Sequence, residues 1–451
     1  MLACQKDLFS LPPGLHYLNC AYMSPLSRRA EEAGIAGIRR KRVPTALAPK
    51  DFFDGPDRAR ELFARLIGAP DPSRVAIVPA ASYGIAVAAR NTAVRRGQNV
   101  IILHEQFPSN VYAWRNLARA HGLELRTVAP PEDRVVRGEE WNARILEAID
   151  ENTAVVAIPH VHWTDGTLFD LERIGERARE MGAALVVDGT QSVGALPFDV
   201  ERIRPDALVC ASYKWLFGPY SLGLAYFGPR YDEGRPLEES WLGRAGSEDF
   251  RNLVHYRDDY RPGAARFDVG EAGNFALMPM LHVALEQLLE WGVAEIQAYC
   301  RELTREAIAE AVALGFGVED EAWRGAHLFG LRAPEGIDVG TIAERLRARD
   351  VVVSVRGGSL RISPNVYNDA DDVAALLDAL RESVAAAPHR FSRTVIRRIC
   401  SRSSQASGGD VNSAPDGMPR SSTCSSFVSI DHPAGSSTSN GFPSTNSIST
   451  P

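Results

Sequence analysis

Lysine is so rare in this chain that one of its lysines invites a chemical explanation. It occurs at only four positions, so that 46 of the 50 lysines and arginines are arginine. Lys214, in the segment CASYKWLFGP, is the only lysine after residue 50. Arginine holds its proton too firmly to attack a carbonyl carbon, whereas a desolvated lysine can lose its proton and form a Schiff base. The alternative explanation is that Lys214 is an ordinary surface lysine at a strand end. That explanation is weakened because this chain generally uses arginine for positive charge.

Two other segments place small or polar residues directly after short apolar runs. Asp188 follows ALVV, and Ala81 and Ser82 follow RVAIVP at the start of a helical pattern. A carboxylate at the end of a buried strand needs a partner, which is either a cation or a turn hydrogen bond. Small residues at a helix N-terminus leave backbone N–H groups free for an anion such as phosphate, although an ordinary N-cap serine gives the same pattern.

The elements that must position these residues are predicted by the hydrophobic pattern. From about residue 75, short apolar runs such as TAVVAIP alternate with amphipathic helical segments such as DLERIGERAREMG. Nearly continuous apolar strands that alternate with helices predict an α/β fold with a mostly parallel sheet. Ligands bind beyond the carboxyl ends of the strands in such sheets, so Ser82, Asp188 and Lys214 are expected to meet there.

The same pattern divides the chain into regions. Residues 1–74 are predicted to form an N-terminal arm that is part of a small domain, residues 75–290 a large cofactor-binding domain, and residues 291–387 a smaller α/β domain. Residues 388–451 are rich in serine, threonine, glycine and proline. Such a composition buries too little apolar area to offset its ordering entropy, so this tail is predicted to be disordered.

Composition argues against several classes of protein. A net charge of −7 does not suit nucleic-acid binding. There is no apolar run long enough to span a membrane, and the chain is predicted to be cytoplasmic. The six cysteines have no paired spacing, which argues against a disulfide framework or a zinc site. His160 and His162 suggest a metal pair but lack a third ligand, so no metal is predicted. A nucleotide-binding oxidoreductase would need a G-x-G-x-x-G turn after an early strand, and the sequence contains none.

A lysine, a carboxylate and an anion pocket on one rim are together what pyridoxal 5'-phosphate requires. Its aldehyde needs the lysine, and its phosphate needs N–H groups and hydroxyls. Its ring nitrogen needs a carboxylate to stay protonated, so that the ring can accept electrons from a substrate carbanion. The sequence therefore predicts this cofactor.

Two longer segments carry a resemblance to a known family. VVDGTQSVGALPFDV and SYKWLFGPYSLG resemble the aminotransferase class V family of pyridoxal-phosphate enzymes, which includes cysteine desulfurases, kynureninases and isopenicillin-N-epimerase-like proteins. The segments YLNCAYMSPLS and FDGPDRARELFARLIGA are similar to the family's opening segments. The resemblance covers most of residues 15–387 and implies the fold type I of pyridoxal-phosphate-dependent transferases.

The resemblance implies a role for each matching residue. Lys214 forms the Schiff base and moves a proton, Asp188 pairs with the ring nitrogen, and Gln191 bonds the ring 3-hydroxyl. The other implied cofactor contacts are Ala81, Ser82, Ser212 and Tyr213 around the phosphate, Phe107 stacked on the ring, Thr164 near the ring, and Trp241 and Asn274 reaching a neighbouring subunit's phosphate. The last two imply a homodimer with the site at its interface. Core packing is the alternative explanation for Phe107 and Trp241.

The substrate side is implied by the segment SLRISPNVYN. Arg361 matches the arginine that grips the substrate α-carboxylate, and Arg356 is a competitor for that role or a second contact. The stretch VRGGSLR lacks the cysteine that cysteine desulfurases carry there, so a persulfide mechanism is not expected. The predicted function is an aminotransferase acting on an amino acid through a Schiff base with its amino group. A kynureninase-like Cβ-lyase or an amino-acid epimerase is the alternative, and a catalytically silent binding protein is less favoured.

Overall fold

The computed structural model describes residues 2–132 and 135–386. The predicted disordered tail, 388–451, lies outside the described residues. The N-terminal arm contains the short strand β1 (His16–Tyr17) and the helices α1 (Arg28–Arg40) and α2 (Asp51–Leu66). The side chain of Ser27 caps α1 by accepting a hydrogen bond from the Ala30 N–H at 3.2 Å. Both helices pack against the long helix that follows the central sheet.

A seven-stranded sheet forms the centre of the molecule. Its strands are β2 (Val75–Val78), β3 (Asn99–Leu103), β4 (Glu124–Val128), β5 (Thr153–Pro159), β6 (Ala184–Asp188), β7 (Ala207–Ala211) and β8 (Gly223–Phe227). They lie in the order β2-β8-β7-β6-β5-β3-β4, and only β8 runs antiparallel to its neighbours. The helices between them are α3 (Ala81–Asn91), α4 (Tyr112–His121), α5 (Gly138–Ala148), α6 (Leu171–Glu180) and α7 (Val200–Ile203). The prediction of an α/β fold with a mostly parallel sheet is confirmed.

The sheet is covered on both faces, which is why its strands read as continuous apolar runs. Every residue of β2, β3, β5, β6, β7 and β8 is buried. One face packs against a cluster that includes Trp141, Phe169 and Trp215, and the other against a cluster that includes Trp114 and Phe227. Burial on both faces leaves the strand ends as the place where polar side chains can reach an open space.

The last part of the described chain begins with two long helices, α8 (Leu277–Trp291) and α9 (Val293–Ala313). It continues with β9 (Phe329–Arg332), α10 (Val339–Arg347), β10 (Val351–Val352), β11 (Ser354–Arg356), β12 (Ser359–Ile362) and α11 (Ala370–Ala385). Strands β11, β12 and β9 form an antiparallel sheet, while β10 pairs in parallel with β1 of the arm. A separate apolar cluster joins this sheet to α10 and α11. The boundaries of a large and a small domain stay predictions.

Two predicted elements differ from the structure. The helix expected to run from Tyr83 to Arg96 ends at Asn91, because Thr92 is extended and its hydroxyl bonds back to the Ala88 carbonyl at 2.8 Å. The run VVVSV was expected to form one strand. It divides between β10 and β11, because its first half pairs with the arm and its second half with β12.

No helix among the described residues has the length and apolar character needed to cross a membrane.

Candidate active site

The carboxyl ends of β6 and β7 open onto a cavity of about 380 Å³. Asp188 is the last residue of β6, and Lys214 follows β7 by three residues. Both line the cavity together with the first residues of α3. Of the residues predicted for the site, the cavity brings together Ala81, Ser82, Phe107, Asp188, Gln191, Tyr213 and Lys214. The residues that follow the ends of these strands therefore lie around one cavity, as expected.

Lys214 is almost completely buried, with 5% of its surface exposed. Burial lowers the pKa of its amine to about 8, nearby Arg361 and Arg356 lower it as well, and Asp188 acts in the opposite direction. The Nζ atom lies 5.4 Å from the ring centroid of Phe107 and 5.6 Å from that of Tyr213. Near physiological pH the amine is therefore neutral far more often than an ordinary lysine, whose pKa is 10.5, and neutrality is what attack on an aldehyde requires.

Asp188 is a buried carboxylate that forms no salt bridge with any described residue. Its Oδ1 accepts a hydrogen bond from the Thr190 N–H at 3.0 Å. Burial raises the pKa of the carboxyl group, while the Thr190 hydrogen bonds and the charge of Lys214 lower it. A buried carboxylate that faces a cavity fits a protonated ring nitrogen, because that cation would supply the missing partner.

The N-terminus of α3 borders the same cavity. Ala80 is its N-cap and has no side chain able to cap the helix, so the first N–H groups receive no side-chain cap. The exposed hydroxyl of Ser82 lies beside them. Free N–H groups and a hydroxyl at a helix N-terminus suit a phosphate. Ser212 contributes differently, because its buried hydroxyl lies 2.6 Å and 2.8 Å from the carbonyl oxygens of Pro219 and Leu222 and does not line the cavity.

Gln191 is held by hydrogen bonds, whereas Phe107 is held by packing against another ring. The amide oxygen of Gln191 accepts a hydrogen bond from the Trp215 indole at 2.8 Å, and its amide nitrogen donates to the Ala21 carbonyl at 3.2 Å. An amide nitrogen carries two hydrogens, so one is left for the cavity. Phe107 has 38% of its surface exposed and meets Trp163 edge to face at 5.4 Å between centroids. Packing against Trp163 therefore holds the Phe107 ring, and part of the ring remains accessible from the cavity.

Thr164 and His162 form a separate buried pair. The Thr164 hydroxyl lies 2.7 Å from Nδ1 of His162, whose Nε2 lies 3.1 Å from the His104 carbonyl oxygen. Thr164 does not line the cavity, whereas its neighbour Trp163 does. Burial lowers the pKa of His160 to about 3. The described residues contain no cluster of three or more side chains suited to holding a metal ion.

A second cavity of about 400 Å³ shares its wall with the first, including Lys214, Phe107 and Trp163. It adds Arg356 and Arg361, the two residues predicted to bind substrate. Arg361 is 1% exposed, and its Nη1 donates to the Trp163 carbonyl at 2.9 Å. Burial and the charge of Arg356 lower the pKa of Arg361 to about 9. This cavity therefore offers positive charge beside Lys214.

Trp241 and Asn274 lie apart from Lys214 within the chain. The Trp241 ring packs 5.4 Å from Phe250 and 6.1 Å from Phe52. Asn274 accepts hydrogen bonds from the Ala276 and Leu277 N–H groups at 3.1 and 2.9 Å at the start of α8, and it lines a third cavity with Phe52. Neither residue lines the two cavities at Lys214. Their predicted reach into a neighbouring subunit stays a prediction.

Several lining residues were not predicted. Among them are Tyr22, Trp163, Thr190 and Tyr220. Trp163 directly precedes the predicted Thr164, and Thr190 and Tyr220 fall inside the segments that carried the resemblance. Tyr22 lies in the arm segment YLNCAYMSPLS, which also carried the resemblance, but no local pattern connects it with strand ends almost two hundred residues later.

Comparison with known proteins agrees with this geometry. A family model described as Aminotransferase class-V matches residues 47–376, which is most of the chain. Isopenicillin N epimerase of Streptomyces clavuligerus is 29% identical over 82% of this chain and 95% of its own length. These matches run across both the central sheet and the segment that carries the two arginines.

Two solved structures show the same fold. The apo structure of a cysteine desulfurase from Thermococcus onnurineus NA1 superposes with a TM-score of 0.73 at 18% identity, covering 85% of this chain and 99% of that one. A C-DES variant with glycine covalently linked to its PLP cofactor gives 0.72 at 17% identity, covering 83% and 98%. The fold is type I, as expected, and the chain belongs to the aminotransferase class-V family, whose cofactor is pyridoxal 5'-phosphate.

Proposed function

We propose that this protein is an aminotransferase that takes the amino group from an amino acid. The observation that carries the proposal is the set of titratable groups lining the two cavities. Lys214 is the only amine among them, and the others are Tyr22, Asp188, Tyr213, Tyr220, Arg356 and Arg361. Transamination needs one base that moves a proton along one face of the substrate, and a single amine of near-neutral pKa suits that task.

Three of these side chains have distinct tasks in the proposed reaction. When bound, the cofactor supplies an electron sink that stabilises negative charge on the substrate Cα. Arg361 binds the substrate carboxylate and thereby fixes which Cα bond faces Lys214. The Lys214 amine takes the Cα proton, and the burial that lowers its pKa to about 8 makes it an effective base near pH 7 to 8. Asp188 holds a proton on the ring nitrogen.

Sulfur transfer is poorly supported by the cysteines of the described residues. None of the four lines either cavity at Lys214. Cys20, Cys210 and Cys300 are buried, and burial raises the pKa of Cys20 to about 12. A buried, protonated thiol is a poor nucleophile. The turn between β11 and β12 is short and contains Gly357 and Gly358 instead of a cysteine.

An amino-acid epimerase is the second candidate. It is favoured by the similarity to isopenicillin N epimerase over most of that protein's length. Inversion at Cα needs a proton donor on the face opposite the base. Three tyrosines, Tyr22, Tyr213 and Tyr220, line the cavity that also contains Lys214 and offer phenol protons.

A homodimer with shared sites is supported by features away from Lys214. Ile35 and Ile38 lie three residues apart on α1, and 40% and 63% of their surfaces are exposed. Ile38 borders the cavity that Asn274 lines. We infer that this surface of α1 and the neighbouring Trp241 and Asn274 meet the partner subunit.

One assay separates the reactions. The purified protein with bound cofactor is incubated in D₂O with single amino acids, both with and without a 2-oxo acid as amino acceptor. The expected result is a keto acid whose formation depends on the acceptor, together with deuterium at Cα. Racemised amino acid without keto acid would favour the epimerase, and release of a Cβ fragment would favour the lyase. Absence of Cα exchange with every amino acid would overturn the proposal.

A further inference from the structure

Arg356 and Arg361 lie on the same face of the β11–β12 hairpin. Ser354 pairs with Arg361 across the hairpin, and Arg356 pairs with Ser359. Arg356 is two residues from Ser354 and so shares its face, which makes the two arginines diagonal neighbours across the strands. Both line the cavity that contains Lys214.

Neither arginine has an acidic partner among the described residues. Arg361 donates to the Trp163 carbonyl and to Ser354, and Arg356 donates to the carbonyl of Val355 at 2.8 Å. The Nε atoms of both are buried without a hydrogen-bond partner. Two like charges held side by side in a partly dry cavity are costly unless an anion joins them. The hairpin is therefore a built site for negative charge.

The α-carboxylate of an amino acid accounts for only one of these guanidinium groups. A carboxylate has two oxygens and is bound bidentately by a single arginine fork. Arg361 is the more buried of the two, with 1% of its surface exposed, whereas Arg356 is half-buried. If Arg361 binds the α-carboxylate, the charge of Arg356 is left without an anion.

We propose that the substrate carries a second acidic group on its side chain, and that Arg356 binds this group while Arg361 binds the α-carboxylate. The proposal rests on the proposed function, since it concerns the amino acid that Lys214 acts on. The substrate class is then an acidic amino acid, with two carboxylates separated by a short methylene chain.

Two other arrangements compete with this one. Both arginines can converge on a single carboxylate, or the aromatic walls can receive an aromatic side chain. The guanidinium of Arg356 lies over the Trp163 ring at 5.4 Å from its centroid, so that ring face is already covered by a cation. An anion can approach this pair without displacing it, whereas an aromatic ring must compete with Arg356 for the same surface.

Binding of unreactive analogues tests the proposal without requiring turnover. The holoenzyme is titrated by calorimetry with glutarate, succinate, butyrate and 3-phenylpropionate. Charge-assisted hydrogen bonds predict that the better dicarboxylate binds about tenfold to hundredfold more tightly than butyrate. Arg356→Gln should remove this preference, and Arg361→Gln should weaken binding of every carboxylate. Arg356→Lys should restore part of the preference, since it keeps the charge.

A control and the opposing outcomes complete the experiment. Arg347 is an exposed arginine of α10, and Arg347→Gln makes the same change of charge without touching the cavity. Equal loss of butyrate and glutarate binding in Arg356→Gln would show that both arginines grip one carboxylate. Tighter binding of 3-phenylpropionate than of either dicarboxylate would favour an aromatic substrate. Either result would overturn the proposal while leaving the aminotransferase assay to decide the reaction on its own.

Discussion

The chemistry of Lys214 is set by residues that are distant in sequence. A lysine in an arginine-rich chain predicts a reactive amine, but a pKa near 8 depends on burial and on the charges of Arg356 and Arg361. Those charges lie about 140 residues further along the chain and reach Lys214 only through the packing of the β11–β12 hairpin. The sequence therefore indicates which lysine to test, whereas the pKa of its amine depends on packing that the sequence does not show.

Replacement of Lys214 is the most direct test at this scale. Lys214→Ala and Lys214→Arg should both fail to become covalently linked to the cofactor on borohydride reduction and lose at least about a thousandfold in turnover, because neither side chain can act as a neutral amine. Absorption spectra before and after borohydride reduction, followed by peptide mapping, identify the modified lysine. Lys50→Ala removes an exposed lysine and should behave like the wild type. Covalent attachment of the cofactor to Lys214→Ala after reduction, to the same extent as in the wild type, would refute the assignment.

The lowered pKa of Lys214 predicts a pH dependence of cofactor uptake by the apoprotein. Burial holds the pKa at about 8, and the amine must be neutral to react. Uptake should therefore speed up as the pH rises and level off above about 8. Asp188 raises the pKa of Lys214, so Asp188→Asn should move the midpoint to lower pH. Stopped-flow absorbance measures both profiles, and a midpoint that moves upward in Asp188→Asn would contradict this electrostatic account.

At the level of helices and strands, hydrophobic periodicity was a good guide wherever an element is buried on a regular face. Strand β5 and helix α8 have the predicted bounds, 153–159 and 277–291. The pattern could not show where α3 ends, because the hydrogen bond of Thr92 to the Ala88 carbonyl is a local choice that periodicity does not encode. It also could not show that VVVSV serves two sheets, because β1 comes from the distant arm.

The N-terminus of α3 allows a precise backbone test. Ala81 is the first residue of the helix, a position where proline is well accommodated, and the extended Ala80 before it also tolerates a following proline. Ala81→Pro therefore removes one N–H group but keeps the helix. We expect unchanged thermal stability of the apoprotein and about tenfold weaker cofactor binding, the loss typical of a hydrogen bond to a charged group.

The matched control for this change is proline at the first position of another helix. Val339→Pro makes the same substitution at the start of α10, where Asp338 is the N-cap and no cavity residue is involved. Fluorescence titration of the apoproteins with pyridoxal phosphate measures the affinities. Equal effects of the two prolines on affinity, or none for Ala81→Pro, would show that the α3 N-terminus does not hold the phosphate.

At the level of the whole molecule, the arm joins regions that the sequence left separate. It contributes Tyr22 to the wall of the cavity at Lys214, and its helix α1 packs on α8. Gly37 makes this approach possible, since an added Cβ would collide with the Phe275 carbonyl oxygen. Such long-range packing has no local sequence signal, which is why Tyr22 was missed although the segment that contains it, YLNCAYMSPLS, was recognised.

The outer face of α1 leads to the last prediction, which concerns assembly. Ile38 is 63% exposed beside the cavity lined by Asn274, and exposed apolar residues at helical spacing are typical of an interface. Ile38→Glu should convert the dimer to monomer in light scattering coupled to size exclusion, and it should weaken cofactor binding because Trp241 and Asn274 then reach no partner. Val312→Glu alters a residue of α9 that is 52% exposed and should leave the dimer intact. A monomeric wild type, or a dimer unaffected by Ile38→Glu, would place the interface elsewhere or exclude it.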